Sequence, residues 1–295
     1  MNTDQPLDLT YDRSLIRPRL PRFPMVLRHF SRSRTAMIGL FILTFWLIMA
    51  LVGGLLAPYG LNQMEAGAVW KAPSAQHVMG TDQLGRDIFS RVMIGARQMV
   101  VLPALSVTFA LLLGVSIGLT AGYVGGWLDE VIMRVMDVLM AFPIVMLYLI
   151  IIVAIGASAV NVVLALGIGA APAIARLTRG LVLDLRNREF IAAARMRGES
   201  RLYILSREIF PNITAPILVD ALVRIGYACF SMGALGFLGL GVPPPSPDWG
   251  RMVSEARTAL IIMPTAPLFP ALAIASLVVS FNLVADGMTE AMKVD

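Results

Sequence analysis

From Ala36 to Ala57 the chain runs for 22 residues without a charge. A signal peptide has an apolar core of about 7–15 residues, whereas a run of this length is enough to cross a bilayer. The stretch reads as an uncleaved first membrane span. Seven arginines precede it, at 13, 17, 19, 22, 28, 32 and 34, with no acid after Asp12. Residues 20–34 suit an amphipathic arm on the membrane surface. The rest of the chain cannot be a soluble domain. Only 15% of its residues are charged and 57% are hydrophobic, with a mean hydropathy of +0.76. A soluble surface needs roughly 25% charge. Lipid must be the solvent.

Five further apolar stretches follow, at about 98–122, 131–156, 159–178, 213–237 and 266–287. The expected fold is therefore all-α, with six transmembrane helices. Gly114, Gly118 and Gly122 recur every four residues in the second span, a spacing that allows close helix contact. Pro172 is expected to interrupt the fourth span. Arm 1–35, first span 36–57 and loop 58–97 precede a core at 98–290. A short helix is expected in that loop, with Ile88, Phe89, Val92 and Met93 on one face, ahead of the second span.

Lys and Arg counts set the expected orientation. The N-terminal arm carries seven, and the connector carries eight, at 176, 179, 186, 188, 195, 197, 201 and 207. The loops on the other side hold six: Lys71, Arg86, Arg91, Arg97, Arg251 and Arg257. The positive-inside rule places both termini and the connector in the cytoplasm. The net charge of +5 is then topological and calls for no nucleic-acid partner.

The connector's central stretch, residues 187–212, reads as two short helices. Asn187 is a candidate cap for the first, with Glu189 in its first turn. Phe190, Ile191, Ala193 and Ala194 offer a compact apolar face. Gly198 falls where a positive φ would end the helix. Ser200 or Glu199 starts a second helix, with Leu202, Leu205, Ile209 and Phe210 three to four apart. Pro211 stops it or opens the next. The pair is apolar on one side and arginine-rich on the other.

Ala193-Ala194, three residues, Gly198 and then Ile209-Phe210-Pro211 resemble the EAA loop of permease subunits of bacterial ABC importers. The family's Glu falls at Ala192 and its Leu before Pro at Phe210. The resemblance implies that Glu189, Phe190, Ala193, Ala194, Arg195, Gly198 and Ser200 couple to an ATP-binding subunit. Two more motifs agree. GTDQLGRD at 80–87 and LGFLGLGVPPPSPDWG before the sixth span resemble the dipeptide/oligopeptide branch of the family. With FNLVADGM at 281–288, the latter is similar to its C-type permeases. A type I importer fold is implied. So are a sister permease in a heterodimer, two ATP-binding subunits that hold ATP and Mg, an external solute-binding protein, and a bacterial inner-membrane location. Di- or oligopeptides are the implied cargo; nickel, opine and glutathione branches share the architecture.

GTDQLGRD also has the Gly-x4-Gly spacing of a phosphate loop, but Arg86-Asp87 stand where Lys and Ser or Thr are required. A capped loop, with Asp82 and Asp87 satisfying Arg86 or backbone donors, is the expectation there. Asp220 and Arg224 are four apart in the fifth span and share a helical face. They are candidates either for a polar wall of the path or for an internal staple. Arg134, Asp137 and Asp286 are expected to serve packing. Gly233, Gly236, Gly239 and Gly241 are expected at a helix contact and a span end. His29 and His77 form no local metal motif, Cys229 stands alone, and no nucleophile–base pair is legible. The chain reads as a transporter component, not an enzyme. A stand-alone secondary transporter is the rival class. It would need a second broken helix to match Pro172 in the other half.

Overall fold

Every regular element among residues 28–292, the part of the chain that the computed structural model describes, is helical. The arginines at 13, 17, 19 and 22, and most of the arm at 20–34, lie outside it. Ser33 caps α1 (Arg34–Leu56) by accepting from the Ala36 amide. Asp87 caps α2 (Ile88–Val124) by accepting from the Ser90 amide at 2.7 Å. There follow α3 (Gly126–Ala141), α4 (Ile144–Ile155), α5 (Ala159–Leu185) and α6 (Glu189–Met196). Then come α7 (Arg201–Phe237), α8 (Trp249–Ala256) and α9 (Thr265–Met292). Five of these, α1, α2, α5, α7 and α9, are long and apolar enough to cross a membrane.

Three expectations about the spans need correcting. The stretch 131–156 is not one rod: α3 and α4 meet at 92° across Phe142-Pro143. Phe142 is extended, as a residue before proline prefers, and Pro143 opens the new helix. Conversely, Pro172 does not interrupt α5, which runs unbroken past it. Pro172 is buried there, so packing holds the helix through the lost hydrogen bond. The expected short helix at Ile88 is not separate either. It is the first turns of α2, which is 37 residues long.

The most extensive helix pair is α2 with α5. Its seam is the glycine row. Gly114 lies against the Ala171 carbonyl, Gly118 against the Ala175 carbonyl and the Thr178 side chain, and Gly122 against Val182. Side chains there would hold the backbones apart. On the other side of the bundle α1 packs along α9 and α2. Gly39 meets Leu283, Gly287 meets Ala36, and Gly53 meets the Met93 carbonyl. The Trp46 indole donates to Ser276 Oγ at 2.9 Å, and its ring lies 4.9 Å from that of Trp249. Trp249 is fully buried and donates to the Val92 carbonyl at 3.0 Å, which fixes α8 against α2.

Candidate functional site

The unit that joins α5 to α7 is built from its helix ends inward. Asn187 does not cap α6; Arg188 holds the cap position without a side-chain bond. Gly198 has φ of 76°, and two bonds close the helix end: Gly198 N–H to the Arg195 carbonyl, and Glu199 N–H to that of Ala194. This is the pairing of a Schellman motif. Ser200 caps the next helix through the Tyr203 amide at 3.2 Å. That helix does not stop at Pro211. Ile204–Ile209 widen into π-helical turns, and the α-helix resumes at Phe210 with Pro211 in its first turn. The wider coil absorbs the missing proline N–H and gives its ring room.

The apolar residues of α6 divide between two environments. Ile191 and Ala194 are fully buried against Val182, Ile204, Ile209 and Ile213, and Phe190 packs on the same cluster. Ala193 is half-buried, and Glu189, Arg195, Gly198 and Ser200 are exposed. Met196 (84% exposed) and Leu202 (75%) project from the unit; Leu202 was expected to share the apolar face of Leu205 and Ile209, whereas Met196 carried no reading. The unit is also tied to the α2–α3 turn. The Arg195 guanidinium lies 5.4 Å from the Tyr123 ring centre, and Arg186 donates to the Gly122 carbonyl at 3.0 Å.

Asp220 and Arg224 form an ion pair on α7, with a second bond from Arg224 Nη2 to Asp220 Oδ1 at 3.2 Å. Both are partly buried. Asp137 pairs with Arg176 on α5, a half-exposed surface ion pair rather than the packing contact expected of it. Arg134 and Asp286 do not: both are exposed and make no hydrogen bond or ion pair among the described residues.

The loop between α1 and α2 is a capped structure. Asp82 accepts from the Leu84 and Arg86 amides at 2.8 and 3.0 Å and pairs with Arg86 Nε at 2.6 Å. Arg86 also reaches Glu255 on α8 at 3.2 Å. His77 is buried between Asp87 and Glu65, at 3.0 and 3.1 Å. No local pattern announces this bridge, because its partners are ten and twelve residues away in a loop.

After α7 the glycines have separate tasks. Gly239, with φ of 81°, closes α7 in a second Schellman motif, and Gly233 meets the backbone of Gly250. Gly236 and Gly241 close around the Asp248 carboxylate. That carboxylate is buried and accepts from the Arg251 and Val242 amides at 3.0 and 3.2 Å. Burial pushes its pKa up from the ordinary aspartate value, against those backbone bonds. An open cavity of about 450 Å³ between α7, α8 and α9 has an entirely apolar lining that includes Phe230, Phe237, Ile274 and Val278. It offers nothing to a charged solute.

Known proteins share this architecture. Residues 114–293 match the family described as the binding-protein-dependent transport system inner membrane component. Residues 23–73 match the N-terminal transmembrane domain of oligopeptide transport permease C. The chain is 38% identical over 265 residues to the dipeptide transport system permease protein DppC of Alkalihalophilus pseudofirmus, covering 90% of this chain and 87% of that one. It is 40% identical over 267 residues to the glutathione transport system permease protein GsiD of Pectobacterium atrosepticum, covering 90% and 88%. A chain of the inward-facing MetNI methionine ABC transporter shares the fold, with a TM-score of 0.57 and 16% identity over 68% of this chain and 96% of that one. The chain belongs to the binding-protein-dependent transport system inner membrane component family, the multi-pass membrane permeases of ABC importers.

Proposed function

We propose that this permease forms, with a sister permease in a heterodimer, the path by which di- or oligopeptides delivered by an external solute-binding protein enter a bacterial cell across its inner membrane. Two ATP-binding subunits carry the ATP and Mg and do the hydrolysis; this chain contributes no catalytic group. The similarity to a dipeptide permease over nine-tenths of the chain carries this reading. The equally similar glutathione permease favours a tripeptide as a second cargo.

In this reading six spans leave both termini and the α5–α7 unit in the cytoplasm, as the arginine distribution requires. Residues 36–57 supply the first span, the segment up to Asp87 the outer loop, and the helices from α2 onward, including 98–290, the core. The ATP-binding subunit grips Glu189, Arg195, Gly198, Ser200 and the edge of Ala193, together with Met196 and Leu202. Buried Ala194 and partly buried Phe190 hold that surface in place. Asp220 and Arg224 border the path. Opposite charges on one helical face suit a solute with both an ammonium and a carboxylate.

Reconstitution of the four membrane and ATP-binding subunits in vesicles, with the binding protein outside, tests the cargo. ATP-dependent accumulation of labelled dipeptide is expected. Accumulation of nickel or an opine, with no peptide uptake, would overturn it. Cys229 is buried, so cysteines placed at Ser74 and Met196 report orientation without background. An impermeant thiol reagent added to intact cells should label the first and not the second.

A further inference from the structure

α3 presents two exposed stripes side by side. Trp127 (76% exposed), Val131, Val135 and Val138 recur at helical spacing and have no partner across them among the described residues. Beside them Glu130, Arg134 and Asp137 form a charged stripe. Together with Asp129 and Arg179 this stripe lines a cavity of about 260 Å³. Most of its charge is matched internally. Arg179 grips Asp129 with two bonds, at 2.6 and 2.7 Å, and Arg176 pairs with Asp137. Glu130 and Arg134 are what remain. They are spaced to pair with each other, yet neither makes a hydrogen bond or ion pair among the described residues.

One free acid and one free base next to an unpartnered apolar stripe are the complement of a zwitterionic phospholipid. We propose that the α3 cavity binds phosphatidylethanolamine. The phosphate meets the Arg134 guanidinium, whose fork suits phosphate oxygens. The ammonium meets the Glu130 carboxylate, and the acyl chains follow Val131, Val135 and Val138, with Trp127 at headgroup level. An anionic headgroup would bring no cation to Glu130 and would face Asp129 and Asp137 as well. A choline headgroup has no N–H to donate. The proposal uses no step of transport and holds whatever the cargo.

Native mass spectrometry of the assembled transporter, purified with equal amounts of dioleoyl phosphatidylethanolamine, phosphatidylglycerol and phosphatidylcholine, reads the bound lipid directly. The wild type should retain phosphatidylethanolamine over phosphatidylglycerol by about tenfold, the size of one charge-assisted hydrogen bond. Arg134→Gln should reduce total retention by about tenfold. Glu130→Gln should instead erase the preference between the two lipids while keeping the site occupied. That ratio is read within one folded sample, so loss of fold cannot imitate it. An equal retention of both lipids by the wild type, or an unchanged ratio in Glu130→Gln, would overturn the proposal. So would release of the lipid by excess dipeptide, which would assign the cavity to the path.

Discussion

Gly118 of α2 lies directly under the carbonyl of Ala175 on α5, with Thr178 Cβ only 2.6 Å from where a Gly118 methyl group would be. The obstacle is backbone, and it cannot rotate away. Gly118→Ala should therefore force the two helices apart and cost about 1–3 kcal/mol, the usual range for overpacking. Gly180 of α5 has open space where its methyl group would stand, so Gly180→Ala is the matched control. Thermal unfolding in detergent should separate the two, with Gly118→Ala melting lower and Gly180→Ala melting no lower than wild type, since alanine favours the helix.

Gly198 differs from Gly118 in kind. Nothing lies within 4 Å of where its Cβ would stand, but its φ of 76° is the left-handed region. A branched side chain costs about 1–2 kcal/mol or more there, whereas asparagine adopts it readily. Gly198→Val should reduce uptake while ATP hydrolysis continues, and Gly198→Asn should retain both. Uptake and hydrolysis measured on the same vesicles decide it. Equal coupling in both variants would contradict the role given to this turn.

The Asp220–Arg224 pair calls for a double-mutant cycle. Asp220→Asn leaves a partly buried guanidinium without its counter-charge and should lower membrane yield. Adding Arg224→Gln should restore yield. If the pair borders the path, peptide uptake by the restored double variant stays slow; full recovery of uptake makes it a staple. Additive losses of yield would mean that the two charges do not support each other.

Asp248 sets a pH dependence. Its native pKa is raised above the ordinary 3.8 by burial. Between 3.8 and that higher value the native carboxyl keeps a proton that the unfolded chain has lost. The native state then binds more protons, so this contribution to stability falls as pH rises through the window. Asp248→Asn removes the titration but leaves one of the Val242 and Arg251 amides less well satisfied, at about 1–3 kcal/mol. Unfolding followed from about pH 4 upward should show the wild type losing stability relative to the variant. Parallel curves would exclude Asp248 as the source.

What the sequence made legible is what repeats or what is local. The spacing of Gly114, Gly118 and Gly122 announces a seam because every notch falls on one helical face. Gly198 and Ser200 announce a helix end and start because capping is decided within a few residues. The two prolines show the limit. Pro143 breaks a span and Pro172 does not, although both lie in continuous apolar sequence. The difference comes from burial of Pro172 in α5, which no local pattern contains. Ile191 and Ala194 illustrate the same point. Their small apolar face is visible in the sequence, but not that it turns inward onto Ile204 and Ile209 and leaves Met196 and Leu202 outside. Asp248 was not legible in the sequence. The glycines that close around it, Gly236 and Gly241, lie twelve and seven residues earlier in the chain, and only the fold brings them to it.

The unbroken helix Arg201–Phe237 has a mechanical consequence. Its 37 residues, at about 1.5 Å each, make a rod of roughly 55 Å, longer than the hydrocarbon layer is thick. Such a rod has no slack loop between the residues near Leu202 and those near Phe237. A tilt of about 5° moves one end relative to the other by about 5 Å, close to one helical turn. The π-helical turns at Ile204–Ile209 are the soft point of this rod, near one end of it. Bending there leaves a long stiff arm on the side of Asp220 and Arg224, so a small angular displacement at the surface arrives at the ion pair as a translation.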